Sequence, residues 1–179
     1  MTQEKIEERL KKYMGVQKII WLNKGIVNDE TNGHVDNICN FVKEDEVVLA
    51  WPKDENDEQY AVSLENYNIL INSTTADGKP IKVHKLILPD VLRITKEESE
   101  GVLVKASTQP RLEGDRMAAS YVNMLVSDKY VILPAFNDSS DEEAVKLMKK
   151  IYPNKKIISF YSREILLGGG NIHCITKHV

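Results

Sequence analysis

Cysteine is scarce in this chain of 179 residues: only Cys39 and Cys174 occur. There is no Cys-x-x-Cys, and the four histidines form no cluster at zinc spacing, which argues against zinc ribbons and fingers and leaves no metal to expect. An excess of basic charge is also missing. Lysine and arginine total 24 against 27 acids, with the lysines scattered among carboxylates, so neither nucleic acid nor an anionic membrane is an expected partner. No apolar run approaches the ~20 residues of a membrane span. The opening "MTQEKIEERLKKYMG" is charged where a secretion signal is apolar. Together these absences point to a cytoplasmic protein whose two cysteines remain thiols.

What is present is a repeat. From Ile38, "ICNFVKEDEVVLAWP" reads as two strands around the polar turn Lys43 to Glu46. A helix is predicted over Asp57 to Ser73, where Tyr60, Leu64, Tyr67 and Ile71 make one apolar stripe. After the turn "DGKP" comes the strand "IKVHKLIL". The same order of strand, strand, helix, strand returns about 84 residues later. "SYVNMLV", the turn "SDKY" and "VILPAF" precede a helix with a capping-box pattern at Ser140 and Glu143, then "KKIISFY". Ala144, Leu147 or Met148, and Ile151 line one face of that helix, and Pro52 and Pro134 read as a recurring proline. At the edges, a helix through Ile6, Leu10 and Tyr13 with the strand "QKIIWL" resembles the back half of a unit, and "NIHCITKHV" the first strand of another.

The expected organisation is a single α/β domain over 1–179. It comprises half a unit (1–32), a unit (33–88), a connecting segment (89–117), a unit (118–161) and the start of a last one (162–179). Three long irregular segments join them, Asn23 to Asn32, Pro89 to Met117 and Ser162 to Gly170, with a capped helical turn at Thr95 to Glu98. Units that cannot bury both faces alone should pack around a common axis, with their first strands converging centrally.

The candidate chemistry falls at the starts of first strands. "TNGHVDN" places His34 and Asp36 at i and i+2, one face of a strand, where both can reach one ligand; the plainer reading is solvated residues in a turn. In "GGGNIHC", strand alternation puts His173 and Cys174 on opposite faces, so the base for a reactive Cys174 must come from elsewhere. His34 is the natural candidate. Glycines 168 to 170 suit either a close backbone approach to a ligand or a hinge, and they lack the pattern of a phosphate loop. Cys39, within "NICNFV", reads as a small buried hydrophobe.

Three stretches, "DETNGHVDNICNFVKEDEVVLAWPKDENDEQY", "GDRMAASYVN" and "SREILLGGGNIHCIT", closely resemble, in order and spacing, the carboxyl-terminal half of agmatine deiminases of the bacterial peptidyl-arginine deiminase family. The likeness runs from Thr2 to Thr176. It implies a partial pentein fold, an α/β-propeller of five strand-strand-helix-strand blades of which about half is present. It also implies hydrolysis of agmatine to N-carbamoylputrescine and ammonia, in putrescine synthesis, without metal or organic cofactor. By the same resemblance Cys174 is the nucleophile, His34 the acid and base, and Asp36 a guanidinium ligand, with Gly169 and Gly170 beside the substrate. Agmatine has no carboxylate and needs no arginine clamp; Arg116 and Arg163, within the matching stretches, read as structural ion-pair partners. Family members are about twice as long, their amino-terminal half supplying further acidic and aromatic pocket residues. The expected partners are therefore agmatine and either a second copy or a complementing amino-terminal half, since open sheet edges invite pairing. The competing expectations are an inactive remnant or interaction module, and a deiminase of arginine or peptidyl-arginine.

Overall fold

In the computed structural model, two stretches of alternating turn and apolar signals become two small sheets of the same design. The structure describes residues 1–29, 31, 33–103 and 110–177; the expected boundaries at 32 and 179, and parts of the segments ending at Asn32 and Met117, lie outside them. After helix α1 (Gln3–Met14), a 3-10 turn (Val35–Asn37) leads into β1 (Cys39–Phe41), β2 (Glu46–Trp51), α2 (Glu58–Ile71) and β3 (Lys82–Ile87). A short α3 (Lys96–Glu100) precedes the second set: β4 (Leu125–Val126), β5 (Tyr130–Ala135), α4 (Asp141–Ile151), β6 (Lys156–Tyr161) and a final turn of helix, α5 (Arg163–Leu166). Each sheet joins an antiparallel hairpin to a parallel strand: β1 and β3 flank β2, and β4 and β6 flank β5. The crossovers α2 and α4 are what parallel neighbours require.

The central strands carry the core. Val47, Val48, Leu49 and Ala50 are fully buried on both faces of β2, and Val131 and Leu133 on one face of β5. Ala144, Met148 and Ile151 form the buried face of α4, choosing Met148 over Leu147. The two sheets share one cluster of buried side chains, and the buried Tyr152 hydroxyl, just past α4, donates to the Val42 carbonyl beyond β1 (2.6 Å).

Several expectations are corrected. The expected strand Gln17–Leu22 pairs with no strand among the described residues; side-chain bonds hold its surroundings instead, Lys18 Nζ to Thr74 Oγ1 (2.6 Å) and Trp21 Nε1 to Glu7 Oε1 (2.8 Å). Only Leu125 and Val126 of "SYVNMLV" enter a sheet, because Ser120 to Met124 folds on itself through Val122 N to Ser120 Oγ (3.1 Å) and Met124 N to Val122 O (2.8 Å). Along α2 the buried positions are Gln59, Ser63, Asn66 and Leu70 rather than the apolar stripe. Gln59 Oε1 accepts from Val27 N (2.7 Å) and Asn66 Nδ2 donates to Lys24 O (2.8 Å), so this polar face satisfies the backbone of the incoming loop. Tyr60 and Tyr67 meet Trp51 edge-on while Leu64 and Ile71 stay exposed. The capping box at Ser140 does not form: Ser140 is already helical and its hydroxyl donates to Asp138 Oδ1 (2.6 Å). The box at Thr95 and Glu98 forms in full. Pro134 lies inside β5, at the register position that Ala50 holds in β2, so Pro52 is not its counterpart.

Both arginines are committed to ion pairs, Arg116 to Asp57 (2.7 and 3.0 Å) and Arg163 to Glu98 (2.6 and 2.9 Å). The Arg163 guanidinium, with hydrogen bonds at Thr95, holds the Glu98 carboxyl down at about 2. A lowered carboxylate stabilises the fold above its unfolded value of 4.5 and loses that contribution as pH falls toward 2. Glu98→Gln should cost about 2 kcal/mol at neutral pH and flatten the loss of stability across that acid window, as urea melts at stepped pH would record. Because Arg163 opens the helical turn before Gly168, this pair anchors the approach to the glycines.

Candidate functional site

The segment before β1 bends through Asp29 and Thr31 into the 3-10 turn, with His34 at the N-cap. Asp29 organises this bend. Its Oδ1 accepts from Thr31 N (2.9 Å) and Thr31 Oγ1 (2.8 Å), and its Oδ2 from His34 N (3.1 Å) and His34 Nδ1 (2.6 Å). The carboxylate is almost wholly buried, at 1 % exposure. With Nδ1 bound, His34 presents Nε2 to the site, 3.4 Å from Asp36 Oδ1. Both atoms are buried and, among the described residues, neither has a hydrogen-bond partner. A buried acceptor and a buried imidazole nitrogen that meet only each other, and beyond hydrogen-bond geometry, can both accept a ligand's donors or protons.

The third component arrives from the other end of the chain. Asn171 to Ile175 is a turn, not the expected strand, so alternation does not separate His173 from Cys174. Asp36 Oδ2 meets both, accepting from His173 Nδ1 (2.7 Å) and Cys174 Sγ (3.3 Å). The reason for the turn is Asn123, whose Oδ1 accepts from His173 N (2.8 Å) and Cys174 N (3.3 Å), taking backbone donors that a ladder needs. The imidazole of His173 is engaged by Asp36, so it is still not the partner of the thiol. One reactive atom from each of His34, Asp36 and Cys174 lies within 4.8 Å of the others, and no other grouping of histidine, cysteine and acid side chains comes this close among the described residues.

Cys174 opens to a cleft of about 520 Å³ lined by Thr31, His34, Asp36, Gly169, Gly170 and His173. Packing around the sulfur pushes its thiol up from the ordinary value; hydrogen bonds from Asn123 and at Asn171 pull it down, and the Asp36 charge opposes them. Burial is the largest of these influences, so the net direction is up, toward the thiol. Cys39 differs: burial lifts it to about 12, which leaves it inert. Gly169 takes a left-handed φ of +89°. At Gly170 a methyl group would sit 2.5 Å from Cys174 Sγ, so the close approach there is to the thiol. Gly170→Ala should leave the fold intact yet displace the sulfur, changing the rate at which iodoacetamide labels Cys174 by about tenfold with little change in thermal midpoint; an unchanged labelling rate would refute it.

All three residues expected at the site, His34, Asp36 and Cys174, are thus brought together, and Gly169 and Gly170 line the same cleft. Two others escaped sequence reasoning. Asn123 was legible only as one polar residue inside an apolar run, and Asp29 only as an acid five residues before a histidine.

The chain that builds this thiol–imidazole–carboxylate grouping belongs to the Porphyromonas-type peptidyl-arginine deiminase family, whose pattern matches residues 1–179. A Latilactobacillus sakei protein named "Putative agmatine deiminase" is 55% identical over 179 residues, all of this chain and 49% of that protein. Agmatine deiminase of Enterococcus faecalis, solved while catalysing its reaction, superposes with a TM-score of 0.92 at 37% identity, over 99% of this chain and 48% of that one. A C. jejuni agmatine deiminase with one cysteine replaced by serine and substrate bound matches with a TM-score of 0.76 at 26% identity, over 97% and 45%. The chain spans about half the length of the curated relatives it matches. No helix is long and apolar enough to cross a membrane among the described residues.

Proposed function

We propose that this chain contributes the nucleophile and acid–base half of an agmatine deiminase site. The observation that carries the reading is the meeting of the Cys174 thiol with a His34 Nε2 and an Asp36 Oδ1 that are both buried and unpaired. A planar guanidinium supplies what they lack: its N–H groups donate to Asp36, and its charge favours the thiolate. Cys174, its proton lost to solvent as the cation binds, then attacks the central carbon as the thiolate, forming a C–S bond. As the tetrahedral adduct collapses, one C–N bond breaks and His34 gives its proton to the departing ammonia, leaving an amidino-cysteine. His34 next removes a proton from water, which attacks the same carbon. The hydroxyl proton of this second adduct passes to solvent as the C–S bond breaks, and N-carbamoylputrescine leaves with the thiolate restored. The steps require no electron transfer.

The names of the relatives support agmatine as substrate, and the pairing of Arg116 and Arg163 with acids leaves those two cations unsuited to clamp a carboxylate. We also read the two sheets as two of five blades around a pseudo-fivefold axis, with 1–32 and 162–179 as parts of neighbouring blades. The remaining guanidinium ligands then come from a complementary amino-terminal half. The test supplies that half, expressed separately from the Latilactobacillus relative, and measures ureido product from agmatine and from arginine. We expect agmatine to react and arginine to lag, with the chain by itself near background. Silence from the combined halves with both substrates, in a complex shown to assemble, would refute the reading and favour a non-catalytic module; faster arginine turnover would reassign the substrate.

A further inference from the structure

We propose that Asn123 is the positioning residue that sets the ionisation of Cys174, holding the thiolate form with one amide hydrogen while clamping the turn that carries it. Asn123 is fully buried just before β4, in the second unit, far along the chain from both Asp36 and Cys174. Its Nδ2 donates to Cys174 Sγ (3.0 Å) and to Asn37 Oδ1 (2.8 Å). Its Oδ1 accepts from the backbone of His173 and Cys174. These bonds fix which way the amide points: Asn37 Nδ2 donates to Ala118 O (3.4 Å), which turns Asn37 Oδ1 toward Asn123 and demands the NH₂ group there. The orientation is therefore set by the packed interior and not by the thiol, so the donor is in place before the sulfur ionises.

The groups facing Sγ are few. Asp36, from the 3-10 turn, accepts from the thiol and disfavours the anion; His34 brings a ring nitrogen within 4.8 Å of Sγ, with Asp29 on its other nitrogen; His173 is spent on Asp36. Gly170 packs against the sulfur without a side chain. Among the described side chains Asn123 is thus the uncharged donor to Sγ, and a donor to sulfur is worth more to S⁻ than to S–H. The same bond also helps explain why the thiol is not raised further by its surroundings.

The proposal rests on Cys174 being the nucleophile, but its test needs no turnover. Alkylation of the whole chain by iodoacetamide is followed across pH, with mass spectrometry locating the label on Cys174; the buried Cys39 stays silent. Asn123→Ala should move the profile up by about one pH unit, so that below the wild-type midpoint the rate falls about tenfold. Asn123→Asp, which keeps the acceptor but replaces the donor by a charge, should move it further. In the unaltered chain, the Asn123 side-chain amide resonances should titrate with the alkylation midpoint, and stop doing so in Cys174→Ala. This second measurement decides the matter if the variants do not fold. An unmoved midpoint in a folded variant, a rate lowered equally at every pH, or amide resonances indifferent to the titration would overturn the assignment. A shifted profile alongside silence from the assembled halves would instead uphold Asn123 and sink the proposed reaction.

Discussion

Cys174→Ala, assembled with the complementary half, is expected to release no ureido product above the uncatalysed background, a loss of at least about 10⁴-fold. No other group can replace the sulfur. Cys39 is held at about 12 by burial, which leaves it without thiolate at working pH. His34 and Asp36 can orient a guanidinium and move a proton, but a direct attack by water on that resonance-stabilised carbon forgoes the covalent intermediate that divides the barrier. Cys174→Ser should be nearly as poor, since the surroundings that only moderately oppose a thiolate would have to ionise a far weaker acid. Binding should survive in both variants, because Asp36 and the cleft remain, and calorimetry with agmatine should show it. Intact mass of the wild-type complex, quenched early in turnover, should carry the amidino adduct, and the variants should lack it. Residual turnover within tenfold of wild type in Cys174→Ala would remove the cysteine from the mechanism.

The repeated unit was legible because its signals are local. Alternating apolar residues around "KEDE" and "SDKY" fix the hairpins, and the turn at "DGKP" delivers β3 beside β2. The errors have a common physical origin in backbone groups whose partners are distant in the chain. On α2, helical periodicity marks Tyr60, Leu64, Tyr67 and Ile71, yet the loop through Lys24 and Val27 needs hydrogen bonds, and Gln59 and Asn66 are buried to supply them. In "NIHCITKHV" the alternation of residue types is genuine, but Asn123 takes the donors of His173 and Cys174 and a turn results. That turn brings both residues onto Asp36, a meeting that strand geometry forbids. At Gln17–Leu22 the composition suits a strand, but among the described residues no neighbour pairs with it, which no pattern within the segment can report. For the site, the residue types were readable wherever reactivity itself was the signal, as at Cys174 and His34. Asn123 and Asp29 act on those two from buried positions, and their roles exist only once the chain has closed.

Asp29→Asn should lower kcat of the assembled enzyme by about a thousandfold while leaving agmatine binding close to normal. The carboxylate now accepts four hydrogen bonds, two from Thr31 and two from His34. Asparagine keeps the shape but converts one acceptor into a donor, so one pair of these bonds must fail. If the NH₂ faces Thr31, two donors there meet a donor and the bend that presents His34 loosens. If it faces His34, the backbone N–H keeps only its longer bond to Thr31 Oγ1 (3.3 Å) and the amide donates to Nδ1, which places the imidazole proton on Nε2. In that tautomer the nitrogen nearest Asp36 Oδ1 has no lone pair with which to take a proton from water, so hydrolysis of the amidino adduct stalls more than its formation. The variant should therefore accumulate the adduct, which intact mass detects, and show a burst of ammonia followed by slow ureido release. A purely structural role for Asp29 would instead lower both phases together and weaken agmatine binding, and that pattern would refute the assignment of Asp29 as the residue that keeps Nε2 free to act as a base.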